Sequence, residues 1–203
     1  MLLYGASGHA KVILSILKAM NQEVTGIFDD DPEKKEIHSI PVVGSYRADF
    51  LPNEPMIIAI GNNTIRRQLS GQIRHSFGTA VHPSAQIDTS AQISEGTVVM
   101  HGAIVQADAR LGRHVILNTA ATVDHDCVIG DFVHLAPGVT LCGSVSVGAH
   151  TLIGAGSVIA PNLTIGSRCL IASGSVVTTS IPDGAIVRGN PARIINRKSF
   201  RTL

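Results

Sequence analysis

Cysteine, runs of like charge and long apolar stretches are all scarce in this 203-residue chain. The three cysteines are an odd number without CxxC spacing, which argues against a disulfide framework or a structural zinc site. Lysine and arginine number 16 against 15 acids, and no basic run precedes the last sixteen residues, so we expect no nucleic-acid partner. Neither a signal-peptide pattern nor a membrane-spanning apolar run is present, so we expect a cytoplasmic protein without a membrane partner, acting on a small molecule.

A period of six runs through the second part of the chain. Every sixth residue from Ile87 to Val177 is isoleucine, leucine or valine, and the residue four positions later is small or aliphatic. Three such repeats close one triangular turn of a parallel β-helix, so that residues 18 apart stack on each other. The low charge of 15%, the absence of tryptophan and the 20 glycines favour the same tightly stacked β-structure.

The first eighty residues follow a different pattern, in which short apolar strands alternate with helices. A strand precedes the turn "GASGH" and a helix, a second strand ends in acids, and the apolar run "MIIAI" is followed by a helix in "NTIRRQLSGQIRHSFG". This order predicts a small parallel α/β domain whose ligand binds at the carboxyl ends of its strands. We expect an α/β domain over residues 1–80, a β-helix over 81–186 and a carboxyl-terminal segment over 187–203.

Two histidines differ in their position within the repeat. His125 falls at a corner, with Ala107 one turn before it and Gly143 one turn after it, so little side-chain bulk flanks the ring. Asp126, or alternatively Asp124, would accept its second ring N–H and raise its basicity, which suits a general base. A solvated corner histidine is the structural alternative. A metal site is not expected, because neither His114 nor His150 shares a column with His125.

His134 lies instead in an outward-facing column that is otherwise apolar. The column comprises Val98, Ile116, His134, Leu152 and Leu170. An exposed apolar ridge of this length is unfavourable for a monomer, and a threefold axis suits a three-sided prism, so we expect a homotrimer. His134 then contacts either a neighbouring subunit or a ligand.

The chain as a whole resembles the bacterial nucleotide-amino-sugar N-acetyltransferases of the bacillosamine pathway and the related sialic-acid O-acetyltransferases. The motifs that carry the resemblance, in order, are "YGASGH", the acids after the second strand, "IAIGNN", "HPSA", "ILNT", "DHDCVIGDFVH" and "GNPAR". The resemblance implies a Rossmann-like amino-terminal domain that holds a UDP-sugar. It also implies a left-handed parallel β-helix, assembled as a trimer, with acetyl-CoA in the groove between subunits and no metal.

The resemblance also implies roles for individual residues. His125 is the expected general base and Asp126 its orienting carboxylate, at a position where better-known members carry glutamate. The expected substrate contacts are Ser7, Gly8, His9, Asp29, Asp30, Gly61 and Asn118. The expected acetyl-CoA contacts are His134, Gly143, Ala155 and Ser173. The basic residues Arg188, Arg193, Arg197, Lys198 and Arg201 either meet coenzyme A phosphates or form a solvated tail.

The expected reaction is direct acetyl transfer from acetyl-CoA to the 4-amino group of a UDP-linked 4-amino-4,6-dideoxy sugar. His125 removes the proton as the C–N bond forms, and the Gly143 N–H faces the charge that develops on the thioester oxygen. Two alternatives stay open at this point. One is O-acetylation of a sialic acid or another sugar hydroxyl, and the other is a non-catalytic trimeric scaffold that binds sugar nucleotides.

Overall fold

A computed structural model describes residues 1–197 of the chain, which form a small α/β domain followed by a three-sided β-helix. The two helices are α1 (Gly8–Ala19) and α2 (Asn63–Ser70). The strands of the amino-terminal domain are β1 (Leu2–Tyr4), β2 (Gly26–Phe28), β3 (Glu36–Ile37), β4 (Ile40–Pro41) and β5 (Met56–Ile58). Those that follow are β6 (Ala80–Val81), β7 (Gln86–Ile87), β8 (Gln92–Ile93), β9 (Val98–Val99), β10 (Ile104–Val105), β11 (Arg110–Leu111), β12 (Ile116–Leu117), β13 (Thr122–Val123), β14 (Val128–Ile129), β15 (His134–Leu135), β16 (Thr140–Leu141), β17 (Ser146–Val147), β18 (Leu152–Ile153), β19 (Val158–Ile159), β20 (Thr164–Ile165), β21 (Leu170–Ile171), β22 (Val176–Val177), β23 (Ala185–Gly189) and β24 (Ala192–Arg197).

The amino-terminal sheet is parallel, with the order β2-β1-β5. All three strands are fully buried, as the short apolar runs in the sequence predicted. Helix α1 crosses over between β1 and β2 and buries Ala10, Ile13, Leu14, Ile16 and Leu17, which recur at helical spacing. The carboxyl ends of the strands therefore open on one edge, where the turn at residues 5–9 and the acids at residues 29–31 meet.

Helix α2 is shorter than the sequence pattern predicted. The prediction extended a helix from Asn63 towards residue 78, whereas the structure ends it at Ser70, with Gly71 as its C-cap. Gly71 donates its N–H to the carbonyl groups of the preceding turn, and its backbone is still right-handed, with φ −79°. At the other end, the Asn62 side chain caps the helix by accepting hydrogen bonds from the N–H groups of Thr64 and Ile65.

The β-helix has three faces, and from β6 to β23 each strand pairs in parallel with the strand one turn away. Face 1 consists of β7, β10, β13, β16, β19 and β22, and face 2 of β8, β11, β14, β17 and β20. Face 3 consists of β6, β9, β12, β15, β18, β21, β23 and β24. Paired residues are 18 apart, as in Val105 with Val123 and Val123 with Leu141, which confirms the predicted turn.

The periodic aliphatic column fills the interior of the prism. From Val99 to Val177 every member is buried, while Ile87 and Ile93 in the first turn are half-buried. The corners contain residues with left-handed backbone, including Asp108, Asp126 and Ser144, so that the chain changes direction within a few residues. The predicted fold class, an α/β domain followed by a hexapeptide β-helix, is confirmed. The domain boundaries at residues 80 and 186 stay predictions.

The outward column of face 3 differs from its expected environment. Val98 and Ile116 are each 1% exposed in the single chain, because they pack against the core of the amino-terminal domain around Leu3 and Ile13. The expectation that this whole ridge needs a second copy to cover it is therefore wrong for these two positions. Leu170, at the other end of the column, is 36% exposed.

The carboxyl-terminal segment continues face 3 as a β-hairpin. Strand β23 pairs in parallel with β21, and β24 returns antiparallel to it, with Arg188 opposite Arg193. Arg193 donates to the carbonyl oxygen of Ala192. Lys198 and Arg201 lie outside the described residues, as does the side chain of Arg197. Whether the basic segment contacts coenzyme A phosphates or is a solvated tail therefore stays a prediction. Within residues 1–197 no helix has the length and apolarity needed to cross a membrane.

Candidate active site

His125 lies at the corner between faces 1 and 2, where its side chain is 57% exposed. Its Nδ1 is 2.8 Å from Asp126 Oδ2, so this carboxylate accepts the Nδ1 proton. That tautomer leaves the lone pair on Nε2, which is the form a general base requires. The hydrogen bond to Asp126 and the nearby charge of Asp124 raise the pKa of His125 above its ordinary value of 6.5.

The two neighbouring aspartates have different roles in this geometry. Asp126 has left-handed backbone with φ 59°, which points its carboxylate back to the imidazole. Asp124 Oδ1 instead accepts the backbone N–H of His125 at 2.8 Å and so fixes the main chain of the corner. The sequence left the choice between them open, and the geometry favours Asp126 as the residue that orients the ring.

Gly143 lies directly beneath the imidazole, one turn along the β-helix. A Cβ atom at this position would be 2.5 Å from His125 Nε2 and 2.6 Å from Cε1. Real Cβ atoms do not approach other heavy atoms so closely, so only glycine accommodates the ring in this orientation. The stacking of residues 125 and 143, inferred from the period of six, is therefore present in the structure.

The crevice at the ends of the amino-terminal strands is built around Asp29. Its Oδ2 accepts hydrogen bonds from the Ala6 N–H at 2.7 Å and from Lys34 Nζ at 2.9 Å. Its Oδ1 accepts the N–H of Asp31 at 3.0 Å, and these hydrogen bonds together with the charge of Lys34 lower the pKa of Asp29 although burial opposes them. Both carboxylate oxygens of Asp29 are therefore occupied by hydrogen bonds, and they hold the glycine-rich turn to the end of β2.

Asp30 faces the solvent at the same edge. Its Oδ2 accepts the hydroxyl of Tyr4 at 2.7 Å, and the side chain is exposed. Burial and this carboxylate raise the pKa of the Tyr4 hydroxyl. The side chain of Ser7, the N-cap of α1, makes no capping hydrogen bond, and its Oγ accepts a hydrogen bond from Lys34 Nζ at 2.9 Å. Of the two acids, Asp30 has the oxygen that is better placed for a ligand.

A second group of predicted residues meets where the amino-terminal domain packs on face 3. His134 Nδ1 donates to the Gly61 carbonyl oxygen at 3.3 Å, and its Nε2 accepts from Asn118 Nδ2 at 3.1 Å. Asn118 Oδ1 accepts the N–H of Thr119, so both ends of this amide have partners within the chain. His134 is thus held beneath its own amino-terminal domain and does not stand on an open outer face.

His9 completes this junction cluster. Its ring lies 6.4 Å from that of His134, and its Nε2 is buried without a hydrogen-bond partner in residues 1–197. Burial, reinforced by nearby positive charge, lowers the pKa of both histidines to about 4, so both are neutral at physiological pH. An unpaired buried donor or acceptor is costly, which makes His9 Nε2 a natural contact for a bound polar group.

The remaining predicted acetyl-CoA contacts lie at another edge of the prism. Ala155 and Ser173 are exposed and stack at the corner between faces 3 and 1, the same corner that holds Asn118. Gly143 and His125 lie at the corner between faces 1 and 2. A single chain therefore separates the candidate base from both the junction cluster and the Ala155 corner by one whole face.

His114 and His150 lie at the corner between faces 2 and 3, in the single column that the sequence predicted. His114 stacks on Phe132 at 5.0 Å between ring centroids, and Phe132 stacks on His150 at 5.1 Å. No group of three or more histidine, cysteine or carboxylate side chains in residues 1–197 has a metal-binding arrangement.

Sequence reasoning missed Tyr4, Lys34 and Arg66. The carboxylate partners of Tyr4 and Lys34 depend on how the loops close over the crevice, so no periodic signal marks these residues. Arg66 is different, because it shares the buried side of α2 with Leu69 three residues later, and that spacing was available in the sequence.

Comparison with known proteins identifies both parts of the chain. The PglD N-terminal domain family matches residues 1–73, and the bacterial transferase hexapeptide family, with six repeats, matches residues 144–179. A perosamine N-acetyltransferase from Caulobacter crescentus, solved with CoA and GDP-perosamine, is 36% identical, with a TM-score of 0.93 over 96% of each chain. The chain belongs to this N-acetyltransferase family. The resemblance on which the sequence interpretation relied is therefore confirmed.

Two further relatives support this family of sugar N-acetyltransferases. The acetyltransferase domain of PglB from Neisseria gonorrhoeae is 36% identical, with a TM-score of 0.88 over 96% of this chain and 98% of that one. The same domain has been solved with acetyl coenzyme A. The UDP-N-acetylbacillosamine N-acetyltransferase of Bacillus subtilis is 42% identical over 101 residues, a match that spans 45% of this chain and 46% of that protein.

Proposed function

We propose that this chain transfers the acetyl group of acetyl-CoA to the 4-amino group of a nucleotide-linked 4-amino-4,6-dideoxy sugar, with a UDP-sugar as the acceptor. The observation that carries the proposal is the imidazole of His125, which has its Nδ1 bound to Asp126 and its Nε2 turned to an open corner over Gly143. The relatives act on amino sugars linked to different nucleotides, since their names include UDP and GDP forms.

The proposed chemistry is a direct transfer in a ternary complex. The amine attacks the thioester carbonyl, the C–N bond forms, and the ammonium proton passes to His125 Nε2. Collapse of the tetrahedral intermediate breaks the C–S bond, and the leaving thiolate takes that proton from the imidazolium of His125 to give coenzyme A, which restores the base. The Gly143 N–H is the proposed donor to the oxyanion, and Asp126 stabilises the imidazolium. Holding both substrates together supplies much of the acceleration.

The proposed ligand contacts follow the described clusters. Ser7, Gly8, Asp30 and His9 contact the sugar nucleotide, with Asp29 and Gly61 shaping its crevice and Asn118 acting through His134. Acetyl-CoA is the proposed ligand of His134, Gly143, Ala155 and Ser173. Because these contacts lie on different corners of one prism, the proposal includes a homotrimer in which neighbouring subunits complete each site.

Release of coenzyme A measures the proposed activity. The acceptor panel contains UDP-linked and GDP-linked 4-amino sugars, together with sialic acid and the matching 4-hydroxy sugars. We expect release with a UDP-linked amine and none with the hydroxyl compounds. Release with hydroxyl acceptors alone would establish the O-acetyltransferase, and sugar-nucleotide binding without any release would establish the scaffold.

The His125→Ala variant tests the role of the base. We expect kcat to fall by about 10²–10⁴-fold, because a positioned base contributes that much, while the Kd for acetyl-CoA stays nearly unchanged. His38→Asn, a change at an exposed histidine in the turn between β3 and β4, is the control, because asparagine tolerates the left-handed backbone at this position. An unchanged kcat in His125→Ala at neutral pH would mean that the amine loses its proton to solvent.

A further inference from the structure

Arg66 is a fully buried arginine at the junction between the two domains, with 1% of its surface exposed. Its Nη1 donates to the carbonyl oxygens of Ile60 and Gly61 at 3.1 and 3.3 Å. Its Nη2 donates to Asn63 Oδ1 at 2.9 Å, which keeps a third contact within the amino-terminal domain. These three hydrogen bonds hold the segment from Ile60 to Asn63.

The same guanidinium also reaches into the β-helix. Its Nε donates to the His114 carbonyl oxygen at 2.9 Å, and its Nη2 donates to the Phe132 carbonyl oxygen at 3.0 Å. These two carbonyl groups belong to successive turns of the corner between faces 2 and 3. One side chain thus bonds three segments of the fold together.

All of these acceptors are neutral oxygens. Burying a charge without an opposite charge costs several kcal/mol in most settings, and burial lowers the pKa of Arg66 to about 9. A neutral glutamine or methionine would avoid that cost, but neither has five donors in a rigid planar fork. Arginine therefore supplies a donor geometry that these neutral side chains cannot, at a cost in the free energy of folding.

The Gly61 carbonyl oxygen connects Arg66 to the candidate site. It accepts one hydrogen bond from Arg66 Nη1 and another from His134 Nδ1, and His134 Nε2 in turn accepts from Asn118. The position of this carbonyl therefore decides which nitrogen of His134 carries the proton. It also decides where the crevice loop meets the prism.

We propose that Arg66 is a positioning residue, which seats the Gly61 loop of the sugar-nucleotide crevice on the β-helix and holds His134 in its Nδ1-protonated tautomer. The role in turnover rests on the function proposed above, whereas the role in the tautomer does not. Arg66 itself touches neither substrate. Its effect reaches the acceptor through Gly61 and His134.

Substitution of Arg66 by lysine and by methionine tests this role, with Arg67→Lys and Arg67→Met as controls on the exposed side of the same helix. In the Arg66 variants we expect kcat/KM for the sugar nucleotide to fall on the order of ten- to hundredfold, since small misplacements cost that much. Because His134 is also a proposed acetyl-CoA contact, we expect the KM for acetyl-CoA to rise as well, but by less than kcat/KM for the sugar nucleotide falls. The ¹⁵N shifts of the His134 ring should show a gain of the Nε2-protonated tautomer.

The combined readouts separate a positioning role from a merely structural one. Equal losses for both substrates, in proportion to a fall in Tm, with His134 unchanged in its tautomer, would overturn the proposal. Arg66→Lys keeps a buried cation and is the variant to use where Arg66→Met does not fold. If the wild-type chain released no coenzyme A, the function proposed above would fail, but the tautomer measurement would still decide the role of Arg66.

Discussion

The imidazole of His125 shows how much a single corner of the β-helix determines. One neighbour, Asp126, sets the tautomer, a second, Asp124, fixes the backbone, and the absence of a side chain at Gly143 leaves room for the ring. Each contribution can be removed separately by one substitution. The roles of these residues are therefore open to direct measurement.

Asp126→Asn should move the acid limb of the pH profile. A base works only when unprotonated, and Asp126 raises the pKa of His125, so in the wild type kcat/KM rises with pH through a pKa above 6.5. Asparagine tolerates the left-handed backbone but has no charge, so we expect the inflection to move to lower pH and the plateau to fall on the order of tenfold. Asp124→Asn, measured over the same pH range, should shift the inflection less. An unmoved inflection in Asp126→Asn would exclude the pair as the titrating unit.

Gly143→Ala should lower kcat while the fold persists. The added Cβ would displace the imidazole from its position over residue 143, and a misplaced catalytic group costs on the order of a hundredfold. Gly71→Ala is the control, because a Cβ there meets only ordinary contacts and its φ is −79°. Near-normal turnover in Gly143→Ala would show that the ring has another productive orientation.

At the scale of the element, the column of stacked rings at the corner between faces 2 and 3 is regular in structure but buries a histidine without hydrogen-bond partners in residues 1–197. His114 is fully buried between Phe77 and Phe132, and neither of its ring nitrogens has a hydrogen-bond partner within residues 1–197. Burial lowers its pKa to about 4. In the unfolded chain the same group titrates near 6.5, so the two states differ in bound protons between these values.

His114→Phe should raise the free energy of unfolding by about 1–3 kcal/mol at neutral pH, the cost of an unsatisfied buried polar group, while keeping the stack. The gain should increase as pH falls from 6.5 towards 4, because below 6.5 the unfolded wild-type chain binds a proton that the folded chain does not. Thermal or denaturant unfolding at pH 7 and pH 5 measures both effects. His9 and His134 retain part of the acid sensitivity, so the slope should diminish without vanishing. Equal or lower stability at both pH values would contradict the burial argument.

At the scale of the whole molecule, the three faces separate groups that the proposed reaction needs together. His125 stands at one corner, Ala155 and Ser173 stand at the next, and the crevice domain covers part of face 3. A threefold assembly of prisms side by side, about an axis outside each prism, would bring a corner of one subunit against its neighbour. Light scattering on the purified chain should therefore give a trimer mass.

Mixing of inactive variants tests whether neighbouring subunits share a site. An equimolar mixture of His125→Ala and Asp30→Ala subunits should recover roughly a quarter of the wild-type activity, because random assembly into closed rings leaves that fraction of shared sites with two intact halves. Each variant alone serves as the inactive reference. Failure of the mixture to exceed either parent, with hybrid trimers verified by mass spectrometry, would place the complete site within one subunit.

The sequence by itself determined the β-helix, its register and the stacking of His125 over Gly143. These features depend only on residues 18 apart, because each turn of the prism repeats the same local geometry. The crevice at the strand ends also followed from local order, through the parallel topology of β1, β2 and β5.

Only the tertiary structure decided how the two domains meet. The packing of Val98 and Ile116 under the amino-terminal domain, the contact between Gly61 and His134, and the buried fork of Arg66 all join segments that are far apart in the chain. No period or spacing encodes such contacts, because they depend on the angle at which one finished surface docks on another. The sequence therefore located the candidate base, and the fold decided which groups surround and position it.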